Sequence, residues 1–417
     1  MSARMAWRPA APARNPGILM INDATLVDVH HARPEERAVA PRCRLLVGGP
    51  ARGATGGGLA IASDTLLAGL RYDRRWDVRT LPFGRWNEGE TVAVKVLHQL
   101  VDLARYPFRL LRSRPALVHL QSSLDRRAVL RDVAFALATR ALGVPLVVMW
   151  HGSEPDLLTT RRLPWRALVD LLLRLTNAIV LLSSEERAAL VAHPRAPHSR
   201  VMRNGLDLAR YEAHSDLRTR LGLPVGAPLL LFISRLIPAK GLLDVVAAMP
   251  AIAARTAAHL LVVGDGPARS AAQALASERG VEARVHFVGS VPESEALEYY
   301  CGSDILVFPT YHPEGFPMTL FQAVASGQGV VTTPMRAAAD YLREPDHCLF
   351  VRPRDSESIA AGVIRLLEDA DLLAQMRRNN RQLAQRFDMR VVAAEFGDLY
   401  SEVLAGLGRG ARRQEDR

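Results

Sequence analysis

At 417 residues with 49% hydrophobic content, the chain holds enough apolar material for two domains of ordinary size. Its three cysteines, Cys43, Cys301 and Cys348, lie far apart with no CxxC or Cys/His spacing, which argues against a disulfide framework or a zinc site and for a reducing, cytoplasmic compartment. Charge is uneven: residues 1–205 hold 30 Lys+Arg against 17 Asp+Glu, a net of +13, and residues 206–417 hold 23 against 26, a net of −3, which together recover the overall +10. A basic half suits nucleic acid or anionic lipid headgroups. With 51 Arg and 2 Lys, however, the bias reflects genome composition more than recognition, and it lends weight to the two lysines, Lys95 and Lys240.

Residues 1–43 read as an N-terminal extension, partly disordered or starting from a misassigned Met. Its first 16 residues are rich in Arg, Ala and Pro, and no apolar run with a cleavage site follows. From residue 44 onward, short apolar runs alternate with helical patterns, the signature of βαβ units and parallel sheets. In the first half, strands are expected at 45–47, 77–81, 116–120, 145–150, 178–182 and 200–203, and helices at 59–70, 91–112, 126–142 and 165–175. The most apolar long segment, 163–182, carries Arg166, Asp170 and Arg174, which excludes it as a membrane span. The rhythm pauses over 206–226, where Gly222, Pro224 and Gly226 mark a linker. It restarts with strands at 228–233, 259–263, 285–288, 305–308, 329–332 and 348–351, and helices at 241–254, 269–279, 293–301 and 317–326. Three helical patterns follow, from residues 356, 371 and 389, and a basic tail at 409–417 reads as disordered. The expected organisation is α/β: a first Rossmann-like domain at 44–205, the linker, a second at 227–388, and a C-terminal helix over 389–417 that packs back toward the first. Parallel sheets would face each other across a cleft.

Chemistry collects at the strand ends, where open parallel sheets bind ligands. FISRLIPAKG places Arg235 just past a strand and Lys240 one residue before Gly241 at a helix start, which reads either as two cations and free amides converging on one diphosphate or as a solvated surface pair, the latter favoured for Arg235 alone. VGDGP, with Gly264 and Gly266, is a tight turn that allows close backbone approach, and Val288 ends the neighbouring strand. In the first half, VGGPARGATGGGL, with Gly56, Gly57 and Gly58, reads either as a nest of amides for an anion or as a merely flexible loop, and it fits neither a Walker A nor a dinucleotide loop. WHGSE puts His151 at another strand end. RNGLD at 203–207 reads equally as a turn or as a functional exit from the first domain. The 100–115 segment interleaves Arg105, Arg109, Arg112 and Arg114 with Tyr106, Phe108 and Leu110, which suits either a solvated helix face or one resting on lipid.

The stretch EGFPMTLFQAVASGQGVVTT, residues 314–333, sets Glu314 on a loop before a helix whose first amides favour an anion. Together with FISRLIPAKG and VGDGP, this stretch resembles the donor-binding segment of the family 4 (group 1) retaining nucleotide-sugar glycosyltransferases. The resemblance implies a GT-B fold, with two Rossmann-like domains. It also implies transfer of a sugar from a UDP- or GDP-sugar to a glycan or lipid-linked acceptor, in cell-surface polysaccharide or glycolipid synthesis. By the same resemblance, Arg235 and Lys240 hold the donor diphosphate, Glu314 approaches the sugar hydroxyls, His151 touches the sugar or reacting centre, and Gly56, Gly57 and Gly58 lie near phosphate and acceptor. Gly264, Gly266, Val288, Gly315, Phe316, Pro317 and Met318 complete the expected donor site. The family carries a second Glu eight residues after the first, which accepts ribose hydroxyls; here that position is Gln322, which offers one acceptor and loses a charge-assisted partner, a cost of roughly 1–3 kcal/mol.

With no DxD-type carboxylate pair at a strand end, no metal and no cofactor beyond the nucleotide-sugar co-substrate is expected. The expected location is the cytoplasm or the inner face of the plasma membrane, with an anionic membrane surface as a partner and no nucleic acid. Gln322 motivates an alternative, a weakened nucleotide-sugar-binding or scaffolding subunit; another GT-B chemistry, such as a nucleotide-sugar epimerase, is a further one.

Overall fold

The computed structural model describes residues 42–49, 58–83, 91–154, 156–212, 217–224 and 226–415. Strands β1 (Cys43–Gly49), β2 (Trp76–Pro82), β3 (Leu117–Leu124), β4 (Leu146–Ser153), β5 (Ala178–Leu181) and β6 (His198–Val201) form one parallel sheet in the order β2-β1-β3-β4-β5-β6. Between them run α1 (Gly58–Leu70), α2 (Val92–Ser113), α3 (Arg126–Ala141), α4 (Asp156–Thr159), α5 (Leu163–Leu175) and α6 (Ser184–Val191). A connector with a 3-10 turn at Leu208–Glu212 and the short α7 (Leu217–Arg220) leads to the second lobe.

There β7 (Leu229–Ile233), β8 (His259–Val263), β9 (Val285–Gly289), β10 (Ile305–Phe308), β11 (Gly329–Thr332) and β12 (Leu349–Phe350) form a second parallel sheet, in the order β12-β11-β10-β7-β8-β9. Its helices are α8 (Leu242–Arg255), α9 (Arg269–Glu278), α10 (Glu293–Gly302), α11 (Met318–Ala325), α12 (Ala337–Tyr341), α13 (Ser356–Glu368) and α14 (Ala370–Ala384). Numbered from β7, this is the 3-2-1-4-5-6 order of dinucleotide-binding sheets, whose topological switch point falls between β7 and β10. The first sheet instead reverses between β1 and β3.

The central strands of each sheet are buried on both faces, and their period-two alternation decides which side chain enters which core. In β7, Leu229, Leu231 and Ile233 enter a central cluster, whereas Leu230 and Phe232 enter a cluster on the other face. In β4, Val147 and Met149 join that same central cluster, and Leu146, Val148 and Trp150 join an outer one. The central cluster draws on both sheets, so the two lobes share an apolar layer.

The chain crosses between the lobes twice, and the crossings run side by side. The Leu206 amide donates to the Phe387 carbonyl at 2.7 Å, the Met389 amide donates to the Leu206 carbonyl at 2.9 Å, and Leu206 and Asp388 form a parallel bridge. A Cβ on Gly205 would lie 3.0 Å from Met389 Cα, so this glycine lets the crossings touch. The RNGLD segment therefore carries the crossing. Beyond it, α15 (Met389–Glu415) lies on the first lobe: a Cβ at Gly69 of α1 would sit 2.3 Å from the Met389 carbonyl oxygen, Arg75 pairs with Asp398 at 2.6 Å, and Tyr400 bonds His119 of β3 at 2.7 Å. This helix continues through the expected disordered tail as far as Glu415. Among the described residues, no helix is long and apolar enough to cross a membrane.

Candidate functional site

The switch point of the second sheet brings together side chains far apart in sequence. Lys240 ends a 3-10 turn, Pro238–Lys240, and Gly241 then takes a left-handed φ of +83° to start α8. The Lys240 ammonium is buried, donates to Glu314 Oε1, and lies 5.2 Å from the centre of the Phe308 ring. Burial pulls its pKa down, while the Glu314 carboxylate opposes that shift. Arg235 is exposed, and its guanidinium is close enough to depress Lys240. His312 joins the group: burial and then the Lys240 charge hold it below its ordinary value, and Glu314, Arg235 and Arg336 all act on it. Arg235, Lys240 and Glu314 thus stand close together, with cations outnumbering the carboxylate. An ammonium has three N–H donors, so Lys240 can keep Glu314 and still offer bonds to an anion.

Gly264 and Gly266, at φ +124° and +152°, press the turn after β8 onto the loop that carries Arg235. Cβ atoms there would lie 1.9 Å from the Ser234 carbonyl oxygen and 2.6 Å from the Leu236 carbonyl oxygen, so only glycine fits. Val288 is half-buried near the end of β9. Phe316 is buried and stacks on Phe321 at 3.8 Å, with Tyr341 and Phe387 edge-on, so its ring belongs to the core. Pro317 caps α11, which begins at Met318. A Cβ on Gly58, the first residue of α1, would lie 3.2 Å from Met318 Cγ, so the amino termini of α1 and α11 abut across the lobes. Gly56 and Gly57 lie outside the described residues, as does the side chain of Lys95.

His151 stands near the end of β4, partly exposed, with Nε2 3.1 Å from Gln121 Oε1 on β3. Burial holds its pKa down to about 3, as it does for the fully buried His119 beside it. Gly315 brings the second lobe's loop against this strand: a Cβ there would meet Glu186 Oε2 and Leu182 Cβ at 3.1 Å and the His151 carbonyl oxygen at 3.3 Å.

Two residues that complete the crevice carry no mark in the sequence reading. Arg336 is buried with φ +43°, a backbone region a non-glycine side chain rarely adopts. Its guanidinium donates to Glu185 at 3.2 Å, to Glu186 at 3.4 Å, and to the carbonyls of Pro313 and Ser153 at 3.2 and 3.5 Å, tying the lobes together behind Glu314. Glu186 also accepts from Ser153 at 2.6 Å and from Ser183 at 3.1 Å. Ser183 caps α6, so the S-x-x-E spacing of 183–186 is the signal that would have located both the helix and the acid. Asp340 accepts from the Ser184 amide at 2.7 Å, a second tie between the lobes.

Gln322 is buried in α11, and its amide donates to Glu293 Oε1 at 2.8 Å. Tyr211 of the connector lies beside it. Burial raises the Glu293 carboxyl above its ordinary value. Among the described residues, no group of three or more His, Cys, Asp or Glu could hold a metal.

Two Rossmann-like lobes, with Lys240 and Arg235 beyond the second sheet's switch point, place the chain in the GT-B class of folds. Residues 214–383 match the family described as Glycosyl transferases group 1, and residues 87–210 match Glycosyltransferase Family 4. The chain belongs to this family 4 (group 1). It is 28% identical over 298 residues to a D-inositol 3-phosphate glycosyltransferase of Thermobispora bispora, covering 66% of this chain and 68% of that one. A similar enzyme of Corynebacterium efficiens is 30% identical over 258 residues, covering 58% and 59%. An uncharacterized glycosyltransferase of Methanocaldococcus jannaschii is 26% identical over 200 residues, covering 48% and 51%. The chain thus matches only about half the length of some of these relatives. In fold it is similar to sucrose-phosphate synthase of Thermosynechococcus elongatus, at TM-score 0.71 and 20% identity, covering 88% of this chain and all of that one. It is also similar to HepE of Anabaena, solved with UDP, at TM-score 0.68 and 19% identity, covering 86% and 100%.

Proposed function

We propose that this chain is a retaining, metal-independent glycosyltransferase that moves a sugar from a nucleoside diphosphate donor to a glycan or lipid-linked acceptor in cell-surface polysaccharide or glycolipid synthesis. The observation that carries this reading is the Lys240–Glu314 pair at the switch point between β7 and β10, with Arg235 alongside. Lys240 and Arg235 stabilise charge on the departing diphosphate, as preorganised cations do. Glu314 accepts from hydroxyls of the donor sugar, and His151 bounds the sugar from the first lobe. The backbone of Gly315 to Met318, with the turn at Gly264 and Gly266, cradles the donor, and Val288 flanks its base. In the transfer, the bond from the anomeric carbon to the phosphate oxygen breaks as the acceptor oxygen bonds on the same face, and the acceptor proton passes to the leaving phosphate. The cations replace a divalent metal in this step.

A cytoplasmic or membrane-surface location belongs to the same proposal, supported by α2. There Leu97, Leu100, Phe108 and Leu111 are exposed, Phe108 by 74%, beside exposed Arg105, Arg109 and Arg112. Co-sedimentation with phosphatidylglycerol vesicles, lost on replacing Phe108 with Ser and absent with phosphatidylcholine, tests it.

The donor reading is tested by calorimetry with UDP and GDP, followed by sugar-transfer assays with the matching UDP- or GDP-sugars in the presence of EDTA. Binding of one nucleotide and chelator-resistant product with unchanged anomeric configuration support it. No binding of either nucleotide, or abolition by EDTA, overturns it.

A further inference from the structure

The first lobe has a reversal point of its own, between β1 and β3, and in sheets of this strand order a ligand lies beyond that point. One charged cluster covers it. Phe83 follows β2, its amide donates to the Gly49 carbonyl of β1 at 2.9 Å, and a Cβ on Gly48 would meet its ring at 2.8 Å. The Arg131 guanidinium of α3 stacks on that ring at 4.5 Å and donates from Nη2 to Ser122 Oγ of β3 at 2.6 Å. It therefore bridges the two strands that part. Ser122 and its neighbour Gln121 face opposite sides of β3, so this cluster is separate from the contact between Gln121 and His151.

Asp132 holds the guanidinium in place. Its side chain is fully buried, Oδ1 accepts from Arg131 Nε and Nη2 at 2.9 and 2.8 Å, and Oδ2 accepts from Ser122. Among the described residues the carboxylate has no other hydrogen bond, so it serves this guanidinium and this hydroxyl alone. Burying such a pair gains little stability over apolar side chains of the same volume, which leaves fixing the cation as what the acid does. Of the five N–H donors of a guanidinium, Nε and Nη2 spend three here. Nη1 has no partner among the described residues, and 14% of the Arg131 side chain is exposed.

We propose that Arg131, positioned by Asp132 and Ser122, binds an anionic group on the acceptor, a phosphate or carboxylate, so that the substrate class is an acidic acceptor. The assignment to the acceptor rests on the transferase reading above; the anion site itself does not. A fixed guanidinium with one edge open suits the oxygens of such a group, and the charge-assisted bond is stronger than one to a neutral hydroxyl. A phosphate of this kind belongs either to a soluble sugar phosphate or to a lipid headgroup.

The test titrates glycerol 3-phosphate and glycerol into the full chain by calorimetry. Wild type should favour the phosphate by about tenfold or more, and Arg131→Gln should lose about tenfold for it. Lys240→Ala, which removes the donor-side cation, should keep the preference. Binding should persist with UDP or GDP saturating, as an acceptor's must. Because Arg131→Gln strands a buried acid, Ser122→Ala/Arg131→Met/Asp132→Leu removes the cluster whole; it should melt near wild type and lose the preference too. Asp132→Asn should weaken phosphate binding about threefold by loosening the guanidinium, whereas an acid that merely neutralised Arg131 would give tighter binding on removal. Sedimentation with phosphatidylcholine vesicles containing phosphatidic acid, lost in Arg131→Gln, assigns the anion to a lipid headgroup; calorimetric binding without it assigns a soluble one. No preference for the phosphate, wild-type affinity in both Arg131 variants, displacement by nucleotide, loss in Lys240→Ala alone, or tighter binding by Asp132→Asn overturns the inference. Failure of UDP and GDP to bind overturns the donor reading instead, since the phosphate titrations stand without nucleotide.

Discussion

The two lobes are assembled from the same βα units but threaded differently, and the charges follow the threading. In the second sheet the switch point parts β7 from β10, and the side chains beyond those two strands meet as an ion pair, Lys240 with Glu314. In the first sheet the reversal lies between β1 and β3, and the group at the corresponding edge is a neutral pair, Gln121 with His151, backed by the buried His119. On the proposed reading, one lobe holds the anionic end of the ligand, and the other borders it with a neutral pair and with Glu186, whose charge Arg336 takes up. A crevice made this way keeps one ligand end constant while leaving the other side free to vary.

The largest expected effect is on the charged side of that comparison. Replacing Lys240 with Ala removes the buried donor and strands Glu314, and kcat/KM with the nucleotide-sugar should fall roughly 10³-fold, about 4 kcal/mol; a loss under tenfold would place the ammonium outside the reaction. Next is Arg336→Ala, which leaves the buried Glu186 uncompensated between the lobes. Urea unfolding should show about 3 kcal/mol of lost stability, and the second lobe should become more open to protease.

Acidification addresses the neutral lobe. His119 and His151 have folded pKa values near 3 against about 6.5 when unfolded, so the unfolded chain binds more protons between those limits. Stability is full above the unfolded value and falls as pH drops below it, by roughly 1 kcal/mol per imidazole at pH 5.5. Urea midpoints at pH 7 and 5.5 measure this, and His151→Asn should flatten the difference. The smallest effect belongs to Asp340→Ala, an exposed tie between the lobes beside the buried one, expected to stay within about 0.5 kcal/mol.

Much of this was legible in the sequence where strands are apolar from end to end. The expected 259–263, 305–308 and 329–332 coincide with β8, β10 and β11. By contrast, β3 and β4 run on through Gln121, Ser122 and Ser123 and through His151, Gly152 and Ser153, polar ends that hydrophobic periodicity does not register because they lie at the ligand edge. Helix α6 escaped because its residues, SEERAALV, show little amphipathic pattern; its capping signal was the readable part. Arg235, Lys240 and Glu314 were each visible from local motif spacing. Arg336 and Glu186 stand 150 residues apart, and Glu293 and Gln322 stand 29 apart, so neither partnership leaves a local trace.

The paired crossings at Leu206 and Asp388 have a mechanical consequence. Two strands of chain clipped together by backbone bonds resist separation yet permit a twist, so this end of the molecule acts as a pivot pin. The ties made by Arg336 and Asp340 lie close to that pin, because Tyr341, the neighbour of Asp340, packs edge-on against Phe387 at 5.5 Å, so they stiffen the pivot itself.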